Sequence, residues 1–459
     1  MMAGMSARGK VFVVGAGPSG LAAAWRLKEQ GFAPVVLEER DRVGGQLLTV
    51  KQDGFLMEAG TTILPEAYAS VMQLVKDCGL EDQLLPASYL MGFMRGEELH
   101  MLRANRLALD AARTKLLSFG AKLKAGRLAL DAFKLRKVLS YEDLSSAAEH
   151  DYETPEEYAR RRGLDGELYD YLIDPVVRGG AGVPGNTISA VEFFFLWQKV
   201  LGSKLYAFKE GYSQFPEALA AGLPDVRLNT TVNEVVENGS EVTVSFTDAT
   251  GEHTETAAGC IVSSMGNRVP DIVPGLAPER AQFLRDLNYT SCISINLALS
   301  RRPQLETSFV VVPRPVSEGL FAIILEHNKV AGRCAEDKGL VTLFTMNEWA
   351  VANMDNDDAT VLQNIIGDAE KAIPGLGDDI EFMRVNRWYP VLVYSHPGLY
   401  RKLGTFHAAR DRSSRIHLAG SYNSSGNVNT ATVAGERAAR ELTETLSGAA
   451  RCAAVHQAA

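Results

Sequence analysis

The stretch Val11–Glu38 constrains the fold of this chain more than any other. Val11, Phe12, Val13 and Val14 form a short apolar run suited to a strand covered on both faces in a parallel sheet. Gly15-Ala16-Gly17-Pro18-Ser19-Gly20 follows directly, and Leu21 to Gln30 reads as a helix ending at Gly31. Gly15 permits a tight turn, Gly17 lets the backbone approach a pyrophosphate, and Gly20 lets helix pack on strand. Amides at the helix start, aided by the helix dipole, attract phosphate. The next strand, Pro34 to Leu37, ends at Glu38, whose carboxylate can accept from both ribose hydroxyls. An ADP-ribose site on a doubly wound α/β domain is expected.

The continuation separates FAD from a nicotinamide dinucleotide. Glu39-Arg40-Asp41-Arg42-Val43-Gly44-Gly45-Gln46 precedes Phe55-Leu56-Met57-Glu58-Ala59-Gly60 at a regular interval. The glycine pair would let backbone run under a diphosphate, with Arg42 supplying charge; a plain mobile loop is the alternative. Near the other end stand Arg415 to Tyr422, then Gly426-Asn427-Val428-Asn429-Thr430-Ala431 and Gly435-Glu436-Arg437.

On these motifs the chain resembles the flavin monoamine oxidase superfamily, which includes protoporphyrinogen oxidases and phytoene desaturases. The resemblance implies noncovalent FAD, since no cysteine stands in the C-terminal motif. It implies cofactor contacts at Gly15, Gly17, Pro18, Ser19, Gly20, Glu38, Glu39, Arg40, Gly44, Gly45 and Gln46. Further contacts are implied at Gly60, Thr61, Thr62, Val232, Gly420, Ser421, Val428, Asn429 and Thr430. It also implies a Rossmann-like FAD-binding domain (1–80, 205–270, 406–446) interleaved with a substrate domain of mixed sheet and helices (81–204, 271–405), with 447–459 a frayed tail. Cys260-Ile261-Val262 reads as a strand returning to the first sheet, and Asn238-Gly239 as a hairpin turn. Thr154-Pro155-Glu156-Glu157 marks a helix start.

A flavin accepts hydride with little help from side chains, so catalytic groups are hard to name. Asp174-Pro175-Val176-Val177-Arg178-Gly179-Gly180 resembles the protoporphyrinogen oxidase pattern of a helix ending near substrate, which makes Arg178 a candidate for a substrate carboxylate or anionic flavin. A salt bridge is its bland alternative. Tyr206, Phe208 and Lys209 lie on a segment resembling the return from substrate domain to cofactor domain. Tyr394 and His396 lie on the later return segment, as pocket groups or ordinary interface residues. Phe193-Phe194-Phe195-Leu196-Trp197 turns aromatics all round a helix, so core is expected before cavity wall. Departures matter too. The lysine that many amine oxidases carry is missing from Cys292–Asn296, Asn427 replaces a cage aromatic, and Gln46 and Thr61-Thr62 depart from haem-pathway oxidases.

The resulting expectation is an FAD-dependent oxidoreductase taking hydride from carbon of a bulky, mostly apolar, cyclic substrate, with oxygen or a quinone as acceptor. An amine oxidase and a reduced-flavin isomerase or mutase are the alternatives. A net charge of -9 argues against nucleic acid as a partner. Five scattered cysteines without a C-x-x-C pair fit a reducing cytoplasm, and no metal-ligand cluster is apparent. No apolar run is long enough to span a bilayer. Charge is uneven, however. Arg103 to Lys137 carries ten basic residues against Asp110 and Asp131, threaded with leucines. Basic amphipathic helices are expected there, with a solvated basic face, peripheral contact with the inner face of a membrane, or a funnel for an acidic apolar substrate as the readings.

Overall fold

The computed structural model describes residues 8–88, 90–199 and 202–458. Its first sheet is parallel throughout, in the order Asp225–Arg227, Ala33–Leu37, Lys10–Val14, Gly259–Val262, Ile416–Leu418. Three distant pieces of chain thus build one layer. Its central strands are almost wholly buried, which is why they read as unbroken apolar runs. Helix Pro18–Glu29 leaves the first strand with proline in its first turn and an uncapped N-terminus. Helix Val428–Ala458 crosses it closely: a Cβ on Gly435 would stand 2.0 Å from the Ser19 carbonyl. This helix continues through the segment from 447 on, where a frayed tail was expected. The reason is composition: alanine is the commonest residue there and no proline interrupts it, so the helix runs through Gly448.

An antiparallel meander, Thr231–Asn238, Glu241–Asp248 and Gly251–Ala257, flanks this layer; its first turn is Gly239-Ser240, one residue on from the expected Asn238-Gly239, since Asn238 still pairs with Glu241. A second sheet has seven strands in the order Ile380–Trp388, Cys292–Leu299, Gly339–Thr345, Leu320–Leu325, Phe309–Val311, Leu90–Arg95, Glu98–Arg103. Only the pair Phe309–Val311 and Leu90–Arg95 is parallel. One face of it packs Ile293, Ile295, Leu297, Ile323 and Leu343 into a separate core.

The remainder of the second region is helical. Helix Pro155–Arg162 opens with a capping box between Thr154 and Glu157 and closes on left-handed Gly163. Helix Ala190–Lys199 buries Phe193, Phe194 and Phe195, so the aromatic run is core. The basic segment forms helices Leu107–Arg113 and Phe119–Leu135. The second buries Ala121, Leu128 and Ala132 while exposing Phe119, Leu123, Leu130 and Phe133.

Candidate active site

The two fingerprint loops meet face to face. Gly44 donates its N–H to the Ala16 carbonyl (2.8 Å), and its φ of 98° with Leu47 and Pro216 close by admits only glycine. Gly45 lies against Gly17, 3.5 Å separating its notional Cβ from the Gly17 Cα. Gly20 has no room for a Cβ, which would fall 1.9 Å from the Gly15 carbonyl. Gly17 is the opposite case: a Cβ there meets nothing within 4 Å. Open space therefore lies over the uncapped start of helix Pro18–Glu29. Beside it the Ser19 hydroxyl is buried without a partner, as is that of Thr430 in the first turn of helix Val428–Ala458. Unmet donors, two helix starts and open space over glycine backbone fit a diphosphate group.

Glu38 ends its strand buried, accepting from Ala16 N–H (2.6 Å) and Arg40 N–H (3.0 Å). Each oxygen retains a lone pair for a ribose hydroxyl. Glu39 and Arg40 are exposed, and Arg42 donates to the Gly45 carbonyl (2.7 Å), bracing the glycine pair. Gln46 spans to the other region, donating to the carbonyls of Pro390 (2.8 Å) and Val391 (2.9 Å). Val232 is buried at the bulged start of the meander. Gly420 and Ser421 follow the last parallel strand, and Val428 opens the long helix. Asn429 Oδ1 accepts from Ser70 and Val71 N–H in the first turn of helix Ala69–Asp77. Such a contact is worth about 1 kcal/mol.

The loop Gly60-Thr61-Thr62 is clasped by the seven-stranded sheet. Ser294 Oγ and Trp388 Nε1 donate to the Ala59 carbonyl (2.5 and 2.8 Å), and Asn296 Nδ2 to that of Glu58 (3.0 Å). Lys329, buried and paired with Glu326, donates to the Thr62 carbonyl (2.9 Å). The roles of Ser294 and Asn296 were not legible in the sequence, because short polar side chains on an otherwise apolar strand carry no local pattern. Burial raises the Glu58 carboxyl to about 7, with Lys329 and Arg333 pulling the other way.

A narrow seam with room for about one water, about 10 Å³, lies among residues of the second region and the C-terminal motif. Val183, Ile188, Leu392 and Val393 form apolar walls, Tyr394 borders it, and Gly426 of the C-terminal motif closes it. Glu192 also lines it. A lone carboxyl inside the otherwise apolar run Ala190–Leu196 is the sequence signal that could have found it.

Of the expected catalytic groups, only Tyr394 borders the seam. His396 is part-buried, with Nδ1 3.4 Å from the Tyr394 carbonyl, outside the lining. Arg178, expected at the substrate, lies outside that lining, and its guanidinium donates to the carbonyls of Ser317 (2.6 Å) and Leu320 (3.0 Å). Its helix, Asp174–Ala181, turns it toward the second sheet, 4.0 Å from Asp174. It fastens a helix to a loop. Tyr206 and Phe208 share strand Leu205–Phe208, and Phe208 is core, packed on Tyr212 and Phe215.

The profile of the family described as flavin containing amine oxidoreductase matches residues 18–443. The chain belongs to this family. Its cofactor is accordingly FAD, and it is an FAD-dependent oxidoreductase. Protoporphyrinogen oxidase 2 of Arabidopsis thaliana is 36% identical over 199 residues, covering 42% of this chain but only 37% of the plant protein. Coproporphyrinogen III oxidase of Bacillus subtilis is 24% identical over 454 residues, 90% of this chain and 91% of that one. Among solved structures, cyclohexylamine oxidase of Brevibacterium oxydans superposes with a TM-score of 0.77 at 19% identity, over 96% of this chain and 99% of that one, a likeness of fold.

Proposed function

We propose that this protein removes a hydride from carbon of a bulky, mostly apolar, cyclic substrate, forming C=C or C=N, in the manner of a porphyrinogen oxidase. The observation that supports this is the near full-length similarity to the coproporphyrinogen III oxidase of Bacillus subtilis, over 90% of this chain and 91% of that one; the seam among Val183, Ile188, Leu392 and Gly426 must open to admit such a substrate. Bound FAD supplies the two-electron acceptor. The chain's part is to orient and to keep water out: Leu392 and Val393 line the apolar seam, while Lys329, Ser294 and Trp388 fix the loop Ala59–Thr62 by hydrogen bonds to its carbonyls. Noncovalent attachment rests on Ser19, Glu38, Gly17 and Thr430, and dioxygen is the proposed acceptor, in keeping with the oxidase names of the relatives. Anaerobic addition of coproporphyrinogen III or protoporphyrinogen IX to the flavin-loaded protein tests the reading. Bleaching of the flavin band within the time of turnover supports it. Bleaching by simple amines alone assigns an amine oxidase, and activity only after prereduction an isomerase.

We also propose peripheral contact with an anionic lipid surface through helix Phe119–Leu135. At 100° per residue, Phe119, Leu123, Leu130 and Phe133 fall within about 80° of arc, opposite the buried face. Lys124, Arg127, Lys134, Arg136 and Lys137 are exposed around this stripe, while Asp131 is paired to Arg162. Among the described residues no helix is long and apolar enough to cross a membrane. Cosedimentation with phosphatidylglycerol vesicles but not phosphatidylcholine vesicles is expected; equal recovery in the supernatant with both contradicts it.

A further inference from the structure

The loop that follows Ala59 turns its held carbonyls one way and its N–H donors the other. In a trans peptide the C=O and the following N–H point in opposite directions, and the peptide bonds of this loop are trans. With the Ala59 carbonyl drawn to Ser294 and Trp388, the Gly60 N–H is aimed away from the second sheet. With the Thr62 carbonyl drawn to Lys329, so is the Ile63 N–H. Among the described residues, none of the N–H groups of Gly60, Thr61, Thr62 and Ile63 has a hydrogen-bond partner in the protein. A run of unmet backbone donors in a half-buried loop is uncommon. A Cβ on Gly60 would fall 2.1 Å from the Gln46 carbonyl, and Gln46 follows Gly45, which lies against Gly17. The unmet donors therefore border the space assigned above to FAD.

Lys329 differs from the other groups that hold this loop in carrying a charge. It is 5% exposed, at the end of the short helix Glu326–Lys329, and pairs with the wholly buried Glu326. Glu326 in turn accepts from Thr342 Oγ1 (3.3 Å) on the second sheet. The ion pair thus has its ammonium end on the loop and its carboxylate end behind it. A buried pair is weak evidence of stability, and a neutral donor would have satisfied the Thr62 carbonyl. A cation on that carbonyl does more: it polarises the Thr62–Ile63 peptide and strengthens the donor at its far end.

We propose that Lys329 is a positioning residue for hydride transfer: through the Thr62–Ile63 peptide it aims a strengthened N–H donor at bound FAD and raises the electron affinity of the cofactor. Glu326 holds the ammonium in place for this. Two-electron reduction makes the cofactor richer in electrons, so a donor fixed beside it stabilises the reduced form more than the oxidised one. The inference deepens the oxidoreductase reading and rests on FAD lying against this loop, whichever substrate is oxidised.

The test is the two-electron midpoint potential of bound FAD, measured anaerobically against reference dyes without substrate, together with Tm and FAD content. Lys329→Met with Glu326→Gln replaces the pair by neutral side chains of similar size, so no charge is left buried alone. Reduction of the cofactor in this double variant should be about tenfold less favourable than in the wild type, the weight of one charge-assisted hydrogen bond. For a two-electron couple that lowers the potential by about 30 mV. Lys329→Gln with Glu326→Gln keeps an N–H donor for the Thr62 carbonyl but no charge, and its potential should fall by less. A merely structural role lowers Tm or FAD content and leaves the potential of the retained cofactor at the wild-type value; that result, or a higher potential, overturns the proposal. In the unaltered holoprotein the Ile63 amide, read by 15N labelling of isoleucine, should change its shift when FAD is reduced. An unmoved Ile63 resonance overturns the proposal whether or not either variant folds. Both readouts are free of substrate, so failure of porphyrinogen oxidation leaves them standing.

Discussion

Glu58 lies at the junction of the two regions, fully buried, and its environment dictates how stability depends on pH. Thr49 Oγ1 donates to it (2.7 Å), and Tyr212 N–H lies 3.2 Å from one oxygen. Arg333 stands 3.9 Å away. Desolvation outweighs these, raising the carboxyl from 4.5 to about 7. Between those values the native state keeps a proton that the unfolded chain has released, so stability falls as pH rises through the window and levels off above it. A shift of this size is worth about 3 kcal/mol. With an unfolding entropy of about 2 cal/mol/K per residue, a chain of 459 residues converts that into about 3 °C of Tm. Glu58→Gln changes the absolute stability at every pH, because an amide suits Tyr212 N–H less well, but it removes the titration. Scanning calorimetry of flavin-loaded wild type and variant at pH 4.5 and 8 reads the difference. The wild type should lose about 3 °C more than the variant over that interval. An equal change in both proteins refutes the argument.

Arg178→Ala should lower Tm through two abandoned carbonyls and an uncompensated Asp174, a loss of about 3 kcal/mol, while KM in the residual folded enzyme stays unchanged. A raised KM with unchanged Tm would return Arg178 to the substrate. Gly20→Ala places a Cβ 1.9 Å from the Gly15 carbonyl, so soluble yield and FAD content should both collapse; normal holoprotein contradicts the packing. Leu123→Asp with Phe133→Asp should leave Tm within about 1 °C, since both side chains are exposed, and abolish recovery with anionic vesicles. Unchanged vesicle recovery removes that face from the contact.

The cofactor half was legible because its physics is local. A tight turn, a close backbone approach and a strand end require particular residues at fixed spacing, so Gly15, Gly20, Gly44 and Glu38 could be placed in advance. The seam was not legible in this way. Glu192, Ser425 and Tyr400 come from three distant segments and meet only through the fold. Arg178 shows the converse error: a motif near a glycine-rich turn suggested a substrate contact, while burial and the geometry of its helix gave the guanidinium two backbone carbonyls. The basic segment was half readable. Its charge and leucines predicted amphipathic helices, but which apolar residues remained outside depended on what packed against Ala121 and Leu128.

The central claim is that FAD lies over the Gly17 turn between the two helix starts. Gly17 has an extended backbone, with φ of -74° and ψ of 178°, that any residue adopts, and its Cβ direction is open. Gly17→Leu should therefore fold normally but fill the space assigned to the diphosphate. The decisive measurement is FAD per chain, by absorbance of acid-released cofactor, for wild type and Gly17→Leu. The account predicts about one FAD per wild-type chain and almost none in a folded variant, whereas full occupancy in Gly17→Leu would contradict it.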